Sequence, residues 1–381
     1  MNNLANNNPL VSIIIISYKS YNFIYEAIDS VLSQNYPNIE LIINNDGSTD
    51  FDKTSVLTYI KKHSKKNIKN VVVNNNKINV GTVKNANIAL RKAKGKYIIL
   101  FAADDVIYGN KVISTFVDYF EKLPENELIV TSQIGMFNHG LNKLIQPFIN
   151  NNHKYLIQTL KPYDLFAQMA LRCIIPGCGT CYKKEIFEKY GYFDEKYILV
   201  EDYSSALKFS RLGIKFNYLD FMSFKHRDGG ISHGNIKGEN KTSKQYELDI
   251  INILKNEVLP YTNYLSQKQI KLFTQKLNKL VFQYEYKYEF INAPKSQKRF
   301  FIKSNFKIFL YDFFSNFTKD IYDQFTGKKA KLLLFGLIIY TFNSYLRIIG
   351  LYLIILAVFL MISFILKKYF PKLIKFLKFI L

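Results

Sequence analysis

The sequence predicts an α/β protein: a doubly wound, mostly parallel sheet, followed by a basic helical region and an apolar, membrane-associating end. Three observations predict it. From residue 10 to about residue 132, apolar β-branched runs alternate with segments of helical spacing. Those runs end in polar residues, as strands do at the ligand-binding edge of such a sheet. Residues 331–381 hold 7 basic groups, no acidic one, and long uncharged stretches.

The elements follow in order. Leu10–Ser17 (LVSIIIIS) reads as a buried parallel strand, and Tyr21–Gln34 as a helix with Phe23, Ala27 and Val31 on one stripe. Ile39–Ile43 is a second strand, closed by the turn signal Asn44-Asn45-Asp46-Gly47-Ser48. Phe51–Lys62 reads as a helix, Asn70–Asn74 as a strand, and Thr82–Lys94 as a helix with Gly95 at its C-cap. Tyr97–Ala102 is a strand running into Asp104-Asp105; Lys111–Leu123 is a helix and Leu128–Ser132 a strand. After a looser stretch come a strand at Gly177–Tyr182 and helices at Lys183–Tyr190 and Asp202–Leu212. Two short strands follow, Lys215–Leu219 and Met222–Lys225, and then mostly helix from Glu247 to Phe325.

The end of the chain stands apart. Leu332–Leu346 and Ile348–Leu366 carry no formal charge, and only Arg347 separates them. A helix of the second stretch would be roughly 28 Å long, about the hydrocarbon thickness of a bilayer. Lys367–Leu381 reads as a basic amphipathic helix suited to an anionic headgroup layer. A single span would put five Lys outside, against the positive-inside tendency, so a hairpin or in-plane arrangement is expected. The expected organisation is a flexible start (1–9), an α/β domain (10–235), a basic helical region (236–330) and the membrane-associating end (331–381). The Asn-rich start shows no signal-peptide pattern.

Charge and cysteine content narrow the function classes. Lys and Arg total 52 against 30 Asp and Glu, a net +22. Only 6 of the 52 are Arg, and +15 of the charge lies after residue 240. Lys lacks the bidentate fork that nucleic-acid readers favour, so the partner expected is an anionic membrane and not a nucleic acid. Three Cys build no disulfide framework, which points to reducing surroundings. Cys178-Gly179-Thr180-Cys181 has no second pair at zinc-finger spacing and reads as structural thiols, with a redox pair as the other possibility.

The candidate chemistry lies in the strand-end acids. Asp104 and Asp105 repel one another unless a cation sits there, and hard oxygen ligands suit Mg²⁺ or Mn²⁺; the plain alternative is a solvated turn. Asp46 with Ser48 and Asp50 reads equally as a helix start. Glu201-Asp202 reads either as charge favoured by a helix dipole or as a carboxylate that takes a proton from an acceptor hydroxyl.

Taken in order, VSIIIISYKS (11–20), AIDSVLSQNYPNIELIINNDGSTD (27–50), NVGTVKNANIALRKAKGKYIILFAADD (79–105), GTCYKKEIFEKYGYFDEKY (179–197), EDYSSALKFSRLGIKFNYL (201–219) and HRDGGIS (226–232) resemble the family 2 glycosyltransferases of GT-A fold, of bacterial surface-polysaccharide type. The resemblance covers about residues 10–233. It implies a GT-A-like sheet, a nucleotide-diphospho-sugar donor, a divalent metal and, in many members, inversion. By resemblance Ser17, Tyr18 and Asp46 border the nucleotide, with Lys84, Asp105 and Glu201 nearby. Asp104 matches the metal carboxylate of the D-x-D element and binds donor through it, His226 stands where a late metal ligand comes from, and Asp202 matches the acid proposed as base. Ile16, Lys19, Asn45, Lys84 and Ala102 depart from the family pattern, Ala102 replacing the first D-x-D acid. The absence of Trp excludes the Q-x-x-R-W element of processive synthases. The acceptor expected is a lipid-linked or membrane-held saccharide, with the catalytic domain on the cytoplasmic face of the inner membrane. The competing reading is a catalytically degenerate GT-A protein serving as a membrane scaffold.

Overall fold

The computed structural model describes residues 8–230, 244–290, 292–305 and 308. The expected segments 332–346, 348–366 and 367–381 lie outside the described residues, as does most of 1–9. Among the described residues no helix is long and apolar enough to cross a membrane.

The first half follows the alternation. Strands β1 (Val11–Ser17), β2 (Ile39–Asn45), β3 (Ile68–Asn75) and β4 (Tyr97–Ala102) lie in the order β3-β2-β1-β4, all parallel. Every residue of β1 and β2 is buried. Helices cover both faces of such a strand, which is why its sequence is a continuous apolar run without alternation. Helix α1 (Tyr21–Leu32) buries Ile24, Ala27, Ile28, Val31 and Leu32, one stripe at helical spacing. Helix α2 (Lys53–His63) begins at Asp52, whose side chain accepts the Thr54 and Ser55 N–H groups. Helices α3 (Thr82–Leu90) and α4 (Val112–Phe120) complete this half. α3 stops before Gly95, so Gly95 is no C-cap. The Gly95 N–H donates to Ser12 Oγ, and an added Cβ would lie 2.5 Å from the Ser12 nitrogen.

The second half departs from a purely parallel sheet. It adds β5 (Val106–Ile107), β6 (Ile129–Phe137), β7 (Leu144–Pro147), α5 (Asn151–Thr159), α6 (Pro162–Leu171), β8 (Thr180–Lys183), α7 (Glu185–Tyr190), α8 (Asp202–Arg211) and β9 (Phe216–Arg227). The sheet continues β4-β8-β6-β9-β5, with β7 on β6. β8 runs antiparallel to both β4 and β6, and β5 antiparallel to β9, while β6 and β9 are parallel. The chain leaves β6 through β7 and two helices, then re-enters between β4 and β6 from the other end. The two short strands expected after α8 are one strand, with register shifts on either side of Gln133 that absorb Asp220 and Phe221 and then Ser223.

Beyond β9, α9 (Lys244–Ile253) continues as a wide turn Leu254–Val258 and a tight one Leu259–Tyr264, followed by α10 (Gln267–Glu285) and α11 (Lys295–Ser304). The chain divides into two compact units after Thr274. In the second unit Phe282, Phe301 and Ile302 form a small apolar cluster.

Candidate active site

The parallel order β2-β1-β4 brings three strand ends to one edge. Register pairs Ser17 with Asn45, and Ile16 with Ala102. Ser17, Tyr18, Asp46, Asp104 and Asp105 therefore issue from adjacent strands. Ser17 is buried, and its carbonyl accepts the Asp46 N–H at 2.7 Å. Tyr18 is exposed. Lys19 is left-handed (φ 52°), and its N–H donates to Ser48 Oγ at 2.7 Å.

The Asp46 side chain shapes the wall of this edge. Its Oδ1 accepts the Val80 N–H at 2.9 Å and the Asn76 amide at 3.0 Å, and its Oδ2 accepts the Gly81 N–H at 2.9 Å. The carboxylate is buried and fully engaged in holding the loop that starts α3. Lys84 stands exposed in the first turn of α3, where its charge lowers the Glu195 pKa, an effect smaller than that of the Asn87 hydrogen bond.

Asp105 is joined to the far side of the sheet. The antiparallel pair Val106–Lys225 sets it opposite His226 and Arg227. Asp105 Oδ2 lies 2.9 Å from His226 Nδ1, and Oδ1 accepts the Arg227 N–H at 3.0 Å. Burial alone would lower the His226 pKa, but Asp105, Asp104 and Asp202 together push it up to about 9. Burial raises the Asp104 pKa, and the Asp105 charge adds to the rise.

Arg227 braces this turn. Its guanidinium donates Nε–H to the Asp104 carbonyl at 2.8 Å, donates to the His139 carbonyl, and pairs with Glu26 at 2.5 Å. It also lies over the Phe23 ring, 4.3 Å from the centroid. Sequence reasoning quoted Arg227 inside a motif and assigned it no role.

Asp202 and Glu201 start α8, both half-buried. An added Cβ on Gly177 would lie 3.1 Å from Asp202 Oδ2, so the Pro176-Gly177-Cys178 turn packs directly on that carboxylate. Burial raises the pKa of Asp202, while its bond from the Tyr203 N–H and the His226 charge hold it down. Burial, then the Asp202 charge, push Glu201 up to about 8. The two acids thus raise each other's cost of ionisation, and Glu201 is the one pushed toward the neutral form.

Cys178 is the member that sequence reasoning left out. Ligand atoms of Asp105, Cys178 and His226 all lie within 4.8 Å of one another, a group able to hold a metal ion. Burial, the Asp105 charge and a bond to Asp105 push the Cys178 thiol well up. The C-x₂-C was the signal, but only Cys178 faces the acids; Cys181 is buried in β8. Of the two expected metal ligands, His226 belongs to this group and hydrogen-bonds Asp105, whereas Asp104 is not among its members.

The model for glycosyl transferase family 2 matches residues 12–191. Residues 12–191 are similar to glycosyl transferase family 2. An uncharacterized glycosyltransferase of Rickettsia typhi is 33% identical over 204 residues, 54% of this chain and 59% of that protein. The chain thus spans little more than half the length of that relative. The amylovoran biosynthesis glycosyltransferase AmsB of Erwinia amylovora is 25% identical over 83% of this chain and 98% of its own. The Escherichia coli UDP-Glc:α-D-GlcNAc-diphosphoundecaprenol β-1,3-glucosyltransferase WfaP is 34% identical over 34% of this chain and 51% of its own. The region that matches family 2 contributes Ser17, Asp46, Asp104, Asp105 and Cys178. Asp202, His226 and Arg227 follow it in sequence and close the same site.

Proposed function

We propose that this protein moves a sugar, with inversion, from a nucleotide-diphospho-sugar to a hydroxyl of a membrane-held saccharide, in surface polysaccharide or glycolipid synthesis at the cytoplasmic face of the membrane. The observation that carries it is the gathering of Asp104, Asp105 and Asp202 around His226 beside the strand ends of the region that matches family 2. The names of AmsB and WfaP support the polysaccharide setting and a lipid-linked acceptor.

In this reading Asp202 takes the proton of the acceptor hydroxyl. The hydroxyl oxygen then bonds to the anomeric carbon as the bond to the diphosphate breaks and its electrons leave with the nucleotide. Glu201, pushed toward the neutral form beside it, competes less for the proton. Asp46 holds the loop at α3 against which the nucleotide lies. A desolvated acid beside a second acid, with an imidazole oriented by Asp105, is a donor set that fits a hard divalent cation. Asp104 and His226 would hold Mn²⁺ or Mg²⁺, which supplies positive charge toward the leaving diphosphate.

The scaffold reading draws on Ala102 and Asn45, which stand in place of family acids. One experiment separates the two. A panel of UDP- and GDP-sugars is assayed for release of nucleoside diphosphate and for Mn²⁺-dependent binding, in wild type and in Asp202→Asn. The variant is expected to keep donor binding and to lose about 10²–10⁴-fold in turnover. Undiminished turnover sinks the role of Asp202, and wild type without turnover or metal-dependent binding leaves the scaffold.

A further inference from the structure

We propose that Asp249, outside the region that matches family 2, is a positioning residue for Asp202. The inference rests on the glycosyl-transfer reading above. Asp202 is carried by the segment 196–202, which has no strand or helix of its own before α8 begins. Something else must fix where that segment enters the helix.

Asp249 does so from α9. Asp249 is 1% exposed. Its Oδ2 accepts two successive backbone N–H groups, Ile198 at 2.8 Å and Leu199 at 2.6 Å, and its Oδ1 accepts the Gln245 amide at 2.8 Å. A carboxylate buried to this degree is costly unless every oxygen is engaged, and here each is. The bonded amides lie three and four residues before Asp202.

Glu257, buried in the turn after α9, grips the same segment. It accepts from the Tyr197 hydroxyl at 3.0 Å and from Lys196 Nζ at 2.7 Å. It also meets Arg211, in the last turn of α8, at 3.3 Å. The two acids therefore hold both ends of the stretch that contains Asp202. From the other side the Ile198 carbonyl accepts the Val83 N–H of α3 at 3.1 Å. With Asp249 removed, two part-buried N–H groups lose their acceptor and the segment re-packs to find others. A base displaced by about 1 Å costs roughly 10²-fold in rate, whereas the donor edge keeps supports of its own in β1, β2 and β4 and in Asp46, which holds the Val80 and Gly81 N–H groups.

The test uses the full chain and the most active sugar of the panel. Asp249→Ala is expected to lower kcat roughly 10–100-fold while KM for the donor stays within about threefold. Asp249→Asn is expected to keep most of kcat, since one amide oxygen serves both N–H groups and Gln245 can turn its own oxygen to the new NH₂. A merely structural role gives a different pattern: losses in both variants that track the fraction folded, with specific kcat unchanged. That pattern, or a rise in KM with kcat intact, overturns the inference. If Asp249→Ala does not fold, Asp249→Thr, with one side-chain oxygen, carries the same comparison. Asp202→Asn is run alongside. If it retains turnover, the catalytic reading and this inference both fall; if it loses turnover while Asp249→Ala keeps it, only the positioning role falls.

Discussion

Glu201 and Asp202 are neighbours in the chain and both have raised pKa values, which has a consequence for stability. An unfolded Glu releases its proton near 4.5, whereas burial and Asp202 hold the folded Glu201 pKa up to about 8. The folded state binds the extra proton, so this contribution is complete below about pH 4.5 and is lost as pH rises to about 8. Glu201→Gln is neutral throughout and removes the slope. The wild-type Tm should therefore fall relative to the variant as pH rises from 5 to 8, read by thermal melts in matched buffers. This part of the site was only half legible. Glu201-Asp202 is visible as two acids before an amphipathic segment. That their pKa values are raised follows from their burial, which no spacing reports. Arg227 and Cys178 were hidden for a related reason: each acts through partners distant in the chain, such as Glu26 for Arg227 and Asp105 for Cys178.

At the scale of elements, the short pieces decide where the acids go. β5 is two residues long, too short to carry a period, yet its pairing with β9 is what sets Asp105 against His226. α6 had a readable start, Pro162 followed by Asp164, and buries Leu165, Phe166 and Met169. Gly81 joins two elements. It caps α3 at φ 90°, and an added Cβ would lie 2.5 Å from Ile198 Cγ2 and 2.8 Å from the Ile198 carbonyl. Gly81→Ala is therefore expected to destabilise by about 1–3 kcal/mol, with a lower urea midpoint at unchanged m-value. It should also weaken donor binding, because Asp46 accepts the Gly81 N–H. The parallel strands β1, β2 and β4 were legible to within two residues because a strand covered on both faces is written as a plain apolar run.

For the whole molecule, the charge of +22 divides into +7 on residues 1–240 and +15 after them. If residues 331–381 hold the enzyme at its acceptor, the full chain co-sediments with vesicles containing phosphatidylglycerol, less so with neutral vesicles and less at high salt. Equal binding to neutral vesicles would assign the association to the apolar segments alone, and no binding would remove the membrane from the proposal. The sequence by itself determined the α/β class, the four parallel strands and the presence of acids at their ends, because burial on two faces and strand-end chemistry are local properties of short segments. Only the tertiary structure decided that β8 runs against its neighbours and that Asp105, Cys178 and His226 meet. It alone decided that α9 returns to grip the segment before Asp202. Those are pairings between residues far apart in the chain. They depend on strand order and direction, which the energetics of the whole sheet select and no single segment encodes.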